Sequence, residues 1–93
     1  GALAEALPNV HTFKEGETLW GVVKEHLLAT DSFKNLSDQA KNLEISKHIA
    51  AIHKAGMLRD INNVRPGDTF TFVDNVPENI LEKVNPFARL VKP

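Results

Sequence analysis

Phe13-Lys14-Glu15-Gly16-Glu17-Thr18-Leu19-Trp20 is the stretch on which the reading of this chain turns. An alternating segment stops at Gly16, an acidic residue and a threonine follow, and an apolar helical pattern begins directly after them. Upstream, Val10-His11-Thr12-Phe13 is rich in β-branched and aromatic side chains and reads as a short strand. The two-residue period places His11 and Phe13 on one face. Gly16 permits the tight exit from the strand. Thr18 is the natural N-cap of the first helix, because its hydroxyl can accept a bond from an otherwise unpaired amide. Glu17 sits where the helix dipole favours negative charge. Leu19, Val22, Val23 and Leu27 form one apolar stripe, predicting a helix to about Leu28. Gly21 inside it costs about 1 kcal/mol against alanine; close approach of another backbone is the expected reason.

A second punctuation mark, Asn62-Asn63-Val64-Arg65-Pro66-Gly67-Asp68, precedes the best strand pattern, Thr69-Phe70-Thr71-Phe72-Val73. Between the two marks the pattern is helix or loop. Residues 29–36 form a polar connection carrying Phe33, and Ser37, with Asp38 behind it, is a second N-cap. The segment that follows is one long helix or two with a break near Asn42; no glycine or proline interrupts residues 37–55, which favours one. It carries a stripe of Ile45, Ile49 and Ile52 and a second, on the opposite side, of Leu36, Ala40 and Leu43. Gly56 suits the position after the helix, with Lys54 in the last turn and Met57 folding back on the cap. Phe13, Phe70 and Phe72 are expected to face the helices, since two strands alone are barely stable. The order is strand, helix, helix, strand. Residues 1–9 read as a linker or short helix. Residues 74–93 read as a helical tail in which Pro77 suits a first helical position, Ile80, Leu81 and Val84 form an apolar edge and Asn85-Pro86 stops the helix, with Phe87, Leu90 and Val91 beyond.

Ninety-three residues make one small domain, without room for a deep enclosed site. An apolar fraction of 42% and a charged fraction of 25% are ordinary for a globular chain. A net charge of -1 with no basic block argues against a nucleic-acid or anionic-membrane surface. The chain has no cysteine, which excludes disulfides and thiolate metal sites. No apolar run approaches the roughly 20 residues of a membrane helix, and residues 1–9 lack the basic start of a signal peptide.

Residues 11–20 resemble the opening of a lysin motif (LysM) module, in which an aromatic-Thr-Val strand leads into Gly-Asp-Thr-Leu and often Trp. Residues 62–70 resemble the closing Asn-x-Ile-x-Pro-Gly-Gln-x-Leu of that family. The resemblance covers residues 10–73. Glu17 stands for the usual aspartate and Asp68 for the usual glutamine, and residues 29–44 enlarge a junction that is normally a few residues long. The resemblance implies an α+β, βααβ fold, with a two-stranded antiparallel sheet covered on one side by two helices, the second extended or preceded by an extra helix. It also implies binding of N-acetylglucosamine polymers, peptidoglycan or chitin, and a place in the cell envelope or outside the cell. The groove it implies has Gly16, Glu17, Thr18 and Leu19 on one side and Met57, Leu58, Ile61, Asn62 and Asn63 on the other. Backbone amides at a helix N-terminus suit acetyl carbonyl oxygens, and Leu19 and Ile61 are expected to hold the methyl group and the sugar face. So shallow a site binds weakly alone and needs repeats or tethering for strength.

Each residue also has a plainer reading. Gly16 and Gly67 serve turns, Glu17 and Thr18 serve a helix start, Trp20 packs, and Asn62 and Asn63 shape a loop. No catalytic, metal-ligating or cofactor set emerges. His48 and His53 are five apart and diverge on a helix, no His-Glu-x-x-His occurs, and Glu15 and Glu17 lie in an exposed turn. Two functions stay open: a non-catalytic glycan-binding module, or a protein-interaction or assembly module on the same scaffold, with the groove covered by residues 29–44 and a partner met through that segment or the tail.

Overall fold

The computed structural model describes residues 10–83. The expectations for residues 1–9 and for Val84, Asn85, Pro86, Phe87, Leu90 and Val91 lie outside the described residues. The architecture is α+β. In chain order it comprises β1 (Val10–Thr12), α1 (Leu19–Leu27), α2 (Asp31–Lys34), α3 (Asp38–Lys54), β2 (Thr69–Thr71) and α4 (Ile80–Lys83). β1 and β2 pair antiparallel, with His11 opposite Phe70 and Thr12 opposite Thr69. The order is compatible with the expected strand–helix–helix–strand plan. Residues 29–44 hold α2 and the first part of α3.

Helix starts follow the anticipated chemistry. Thr18 Oγ1 accepts from Gly21 N–H at 3.1 Å, and Ser37 Oγ accepts from Ala40 N–H at 3.1 Å; each such cap contributes about 1 kcal/mol. With no breaker present, α3 runs unbroken for 17 residues. It stops where Gly56 enters the left-handed region at φ 71°, and Gly56 N–H donates to the His53 carbonyl at 3.0 Å. Met57 is tied elsewhere than to this cap: the Thr71 amide donates to its Sδ at 3.4 Å, joining the α3–β2 connection to the second strand.

The core lies on one face of the sheet. Phe13 and Phe70 are buried and stack with centroids 5.5 Å apart, whereas Val10, Thr12, Thr69 and Thr71 on the opposite face are exposed. Against the phenylalanines come Leu19, Val22 and Val23 from α1 and Ile45, Ile49 and Ile52 from α3. Phe33 of α2 is also buried, which is why a mostly polar connection holds a turn of helix. Burying each of these large side chains contributes about 1.5–3 kcal/mol. The second stripe of α3 behaves differently. Leu36 and Leu43 are exposed and Ala40 is half-buried, so the side opposite the isoleucines is uncovered at the start of α3, whereas Lys47, Ala50 and Ala51 further along are buried.

The start of the tail belongs to the same core. α4 packs on α3, and Ile80 is buried. Lys47 of α3 buries its stem and carries its ammonium to the surface, where it donates to Glu78 Oε1 at 2.9 Å and Glu44 Oε1 at 3.3 Å. The ammonium holds the Glu78 carboxyl below its ordinary range, and the Glu78 bond raises the Lys47 pKa in turn. Ile80→Ala is expected to destabilise the domain by about 2–5 kcal/mol in urea unfolding, the cost of a core cavity. A loss near zero would mean that residues 74–83 are not part of the folding unit.

Candidate functional site

Both motif turns have the same construction. In residues 14–17, Glu17 N–H donates to the Lys14 carbonyl at 3.2 Å and Gly16 takes φ 88°. In residues 65–68, Asp68 N–H donates to the Arg65 carbonyl at 3.0 Å and Gly67 takes φ 95°. A positive φ at the third position defines a type II turn, which wants glycine there and favours proline at the second, where Pro66 stands. In each turn the fourth residue's carboxylate reaches back to the first residue's amide. Lys14 N–H donates to Glu17 Oε1 at 2.8 Å, and Arg65 N–H donates to Asp68 Oδ2 at 2.9 Å.

The turns lie side by side. Phe13 N–H donates to the Asp68 carbonyl at 2.8 Å, and Gly67 N–H donates to the Phe13 carbonyl at 2.9 Å. Two residues thus oppose one, a bulge whose first residue is a glycine with positive φ. Glu17 directly precedes the capping Thr18, and its carboxylate has two defined partners. It accepts from the Lys14 amide and from His11 Nε2–H at 3.0 Å, which fixes the proton of that imidazole on Nε2. The Lys14 amide first, and then His11, hold the Glu17 carboxyl below its ordinary value.

An open groove of about 720 Å³ starts at Gly16, Glu17 and Thr18 and follows α1. Its polar rim includes Lys24 and Glu25, Val22 and Leu28 contribute apolar surface, and Phe72 forms an aromatic wall. His26 lies face to face with Phe72, centroids 3.8 Å apart and planes 7° from parallel. Burial first, and then the neighbouring His48, push the His26 pKa down, against an opposing pull from Asp74. Gly21 also lines the groove. No neighbouring backbone approaches Gly21 as the sequence suggested; a Cβ there would meet the capping Thr18 Oγ1 at 3.2 Å.

Of the nine residues expected at a ligand, Gly16, Glu17 and Thr18 line this groove and residues 57–63 do not. Leu19, Leu58 and Ile61 are core residues, 2%, 8% and 9% exposed. Their side chains are therefore engaged in packing rather than held out for a sugar face, and substituting arginine at Ile61 would disrupt the fold. Met57 is half-buried, and Asn62 and Asn63 are exposed in a turn shaped by Asp60, whose Oδ1 accepts from Asn62 N–H at 3.0 Å and whose carbonyl accepts from Asn63 N–H at 3.1 Å. Residues 29–44 line neither this groove nor a smaller one between α3 and the tail. Lys24, Glu25, His26 and Phe72 escaped the sequence reading. The one local signal was the glycine within the helix, because the pairing of His26 with Phe72 is a long-range event.

Among the described residues no three His, Asp or Glu side chains gather to hold a metal ion, and no helix is long and apolar enough to cross a membrane. Comparison with family models, with curated proteins and with solved structures finds no match to this chain.

The Glu17 contact has a defined pH signature. A carboxyl whose folded pKa is depressed contributes stability that is present above its unfolded value, here about 4.5, and is lost as pH falls through the lowered folded value. The Lys14 amide proton is expected to titrate with a midpoint below 4.5, and Glu17→Gln to abolish that transition. A midpoint at or above that value would contradict the hydrogen-bonded geometry.

Proposed function

We propose that this domain is a LysM-type, non-catalytic module that binds N-acetylglucosamine-containing glycan, peptidoglycan or chitin, and holds its parent protein at the cell wall. The observation that carries the reading is the meeting of the two motif turns. Residues 14–17 and 65–68 are 48 or more positions apart in the chain, yet they are joined through Phe13 to Asp68 and Gly67. The stretches that carry the resemblance therefore lie side by side, as a shared binding surface requires. Exposed Gly16 and Thr18 on one side and exposed Asn62 and Asn63 on the other offer backbone and amide groups to acetyl and hydroxyl groups. Loops held by a packed scaffold are a common setting for such contacts. With Leu19 and Ile61 in the core, recognition is mainly polar, and one module binds weakly.

A second reading, docking of a protein partner, is favoured by a different observation. Leu36 and Leu43, on the enlarged middle segment, are 36% and 48% exposed.

Amide chemical shifts recorded during titration with chitin or peptidoglycan oligomers separate the two. The glycan reading expects perturbation at residues 16–19 and 57–63 at millimolar sugar. It also expects Asn62→Arg with Asn63→Arg, both at exposed positions, to abolish cell-wall pulldown while leaving the unfolding free energy within about 0.5 kcal/mol of the parent. A silent spectrum at millimolar sugar eliminates the glycan reading and leaves the protein-docking one.

A further inference from the structure

Gly21 has no explanation in the packing alone. A glycine inside a helix costs about 1 kcal/mol against alanine, and no other backbone approaches Gly21 closely. What its missing side chain preserves is the groove, which Gly21 lines together with Thr18, and the room around the capping hydroxyl. Any longer side chain there would fill the space between the turn and the aromatic wall.

We infer that this groove along α1 is a second saccharide subsite, continuous with the turn at Gly16, Glu17 and Thr18, and that it takes a further ring of the same N-acetylated polymer. The inference rests on the glycan reading above. The ligand class follows from the lining. A pyranose ring has an apolar C–H face and a polar edge. Val22 and Leu28, with the side of the stacked His26–Phe72 pair, supply a surface for the face. The hydroxyl of Thr18 accepts from Gly21 N–H and keeps its own proton to donate outward. Lys24 and Glu25 add a donor set and an acceptor set whose charges offset each other, which suits an uncharged ligand. Held below its ordinary value by burial, His26 stays neutral near pH 7 and adds no charge to the wall. At about 720 Å³ the groove falls within the roughly 300–1,000 Å³ typical of small-ligand sites.

The test is an amide-shift titration of the whole chain with chitin oligomers. The subsite expects shifts at Gly21, Lys24, Glu25, His26 and Phe72 in addition to residues 16–19. Shifts confined to residues 16–19 and 57–63 overturn the subsite and leave the glycan reading intact; no shift anywhere overturns both. Gly21→Gln fills the groove with a better helix former and is expected to weaken binding about tenfold, a loss of the size that one stacked ring contact supplies. Lys24→Ala, at an exposed position, is expected to weaken it less, with an unchanged unfolding midpoint. Unchanged affinity in both variants overturns the subsite.

Discussion

The backbone of Phe13 is the joint on which this small domain depends. Its N–H and C=O are both bonded to the second motif turn, to the Asp68 carbonyl and the Gly67 amide, while its ring is buried among the helices. A sheet of two three-residue strands has little stability of its own. Coupling the end of its ladder to a core aromatic makes strand pairing and helix packing one event. The glycine at φ 95° is what lets two residues face Phe13 without strain, so the requirement for glycine at position 67 follows from the joint.

From that joint the chain reaches its first helix within six residues. The turn at residues 14–17 closes through Gly16 and is held by the Glu17 carboxylate on the Lys14 amide. Thr18 then caps α1, and Leu19 enters the core at once. Turn, cap and first core contact are so close in sequence that each restricts the others. Glu17, one step before the helix cap, holds the turn and His11 together. The second turn repeats the device with Asp68 on the Arg65 amide, a shorter carboxylate for the same span.

Much of this was legible in the sequence because it is local. Caps, turn glycines, the α1 and α3 stripes and the glycine after α3 are encoded within a few residues of where they act, and Thr18, Ser37, Gly56, Gly16 and Gly67 take the roles their types suggested. What stayed hidden is set by tertiary partners. Leu19, Leu58 and Ile61 look the same in sequence whether they face a ligand or the core, and the structure places all three in the core. The same limit hid the groove, since His26 and Phe72 meet only after the sheet has docked. The burial of Ile80 and the Lys47–Glu78 pair depend on the path of the tail, which no periodicity records.

α3 spans about 25 Å at 1.5 Å per residue. Ile45, Ile49 and Ile52, from its middle onward, join α1 and the sheet phenylalanines in the core, whereas Leu43 before them is exposed. Residues 28–37, α2 among them, join the C-terminal end of α1 to the N-terminal end of α3, the end of α1 that points away from the residues 14–17 turn. Phe33 secures α2 to the core without contributing to the groove. A change of length there is remote from the bonds from Phe13 that bring the two turns together. A change of the same length between Phe13 and Thr18 would separate the strand ladder from the helix cap, and the joint with it.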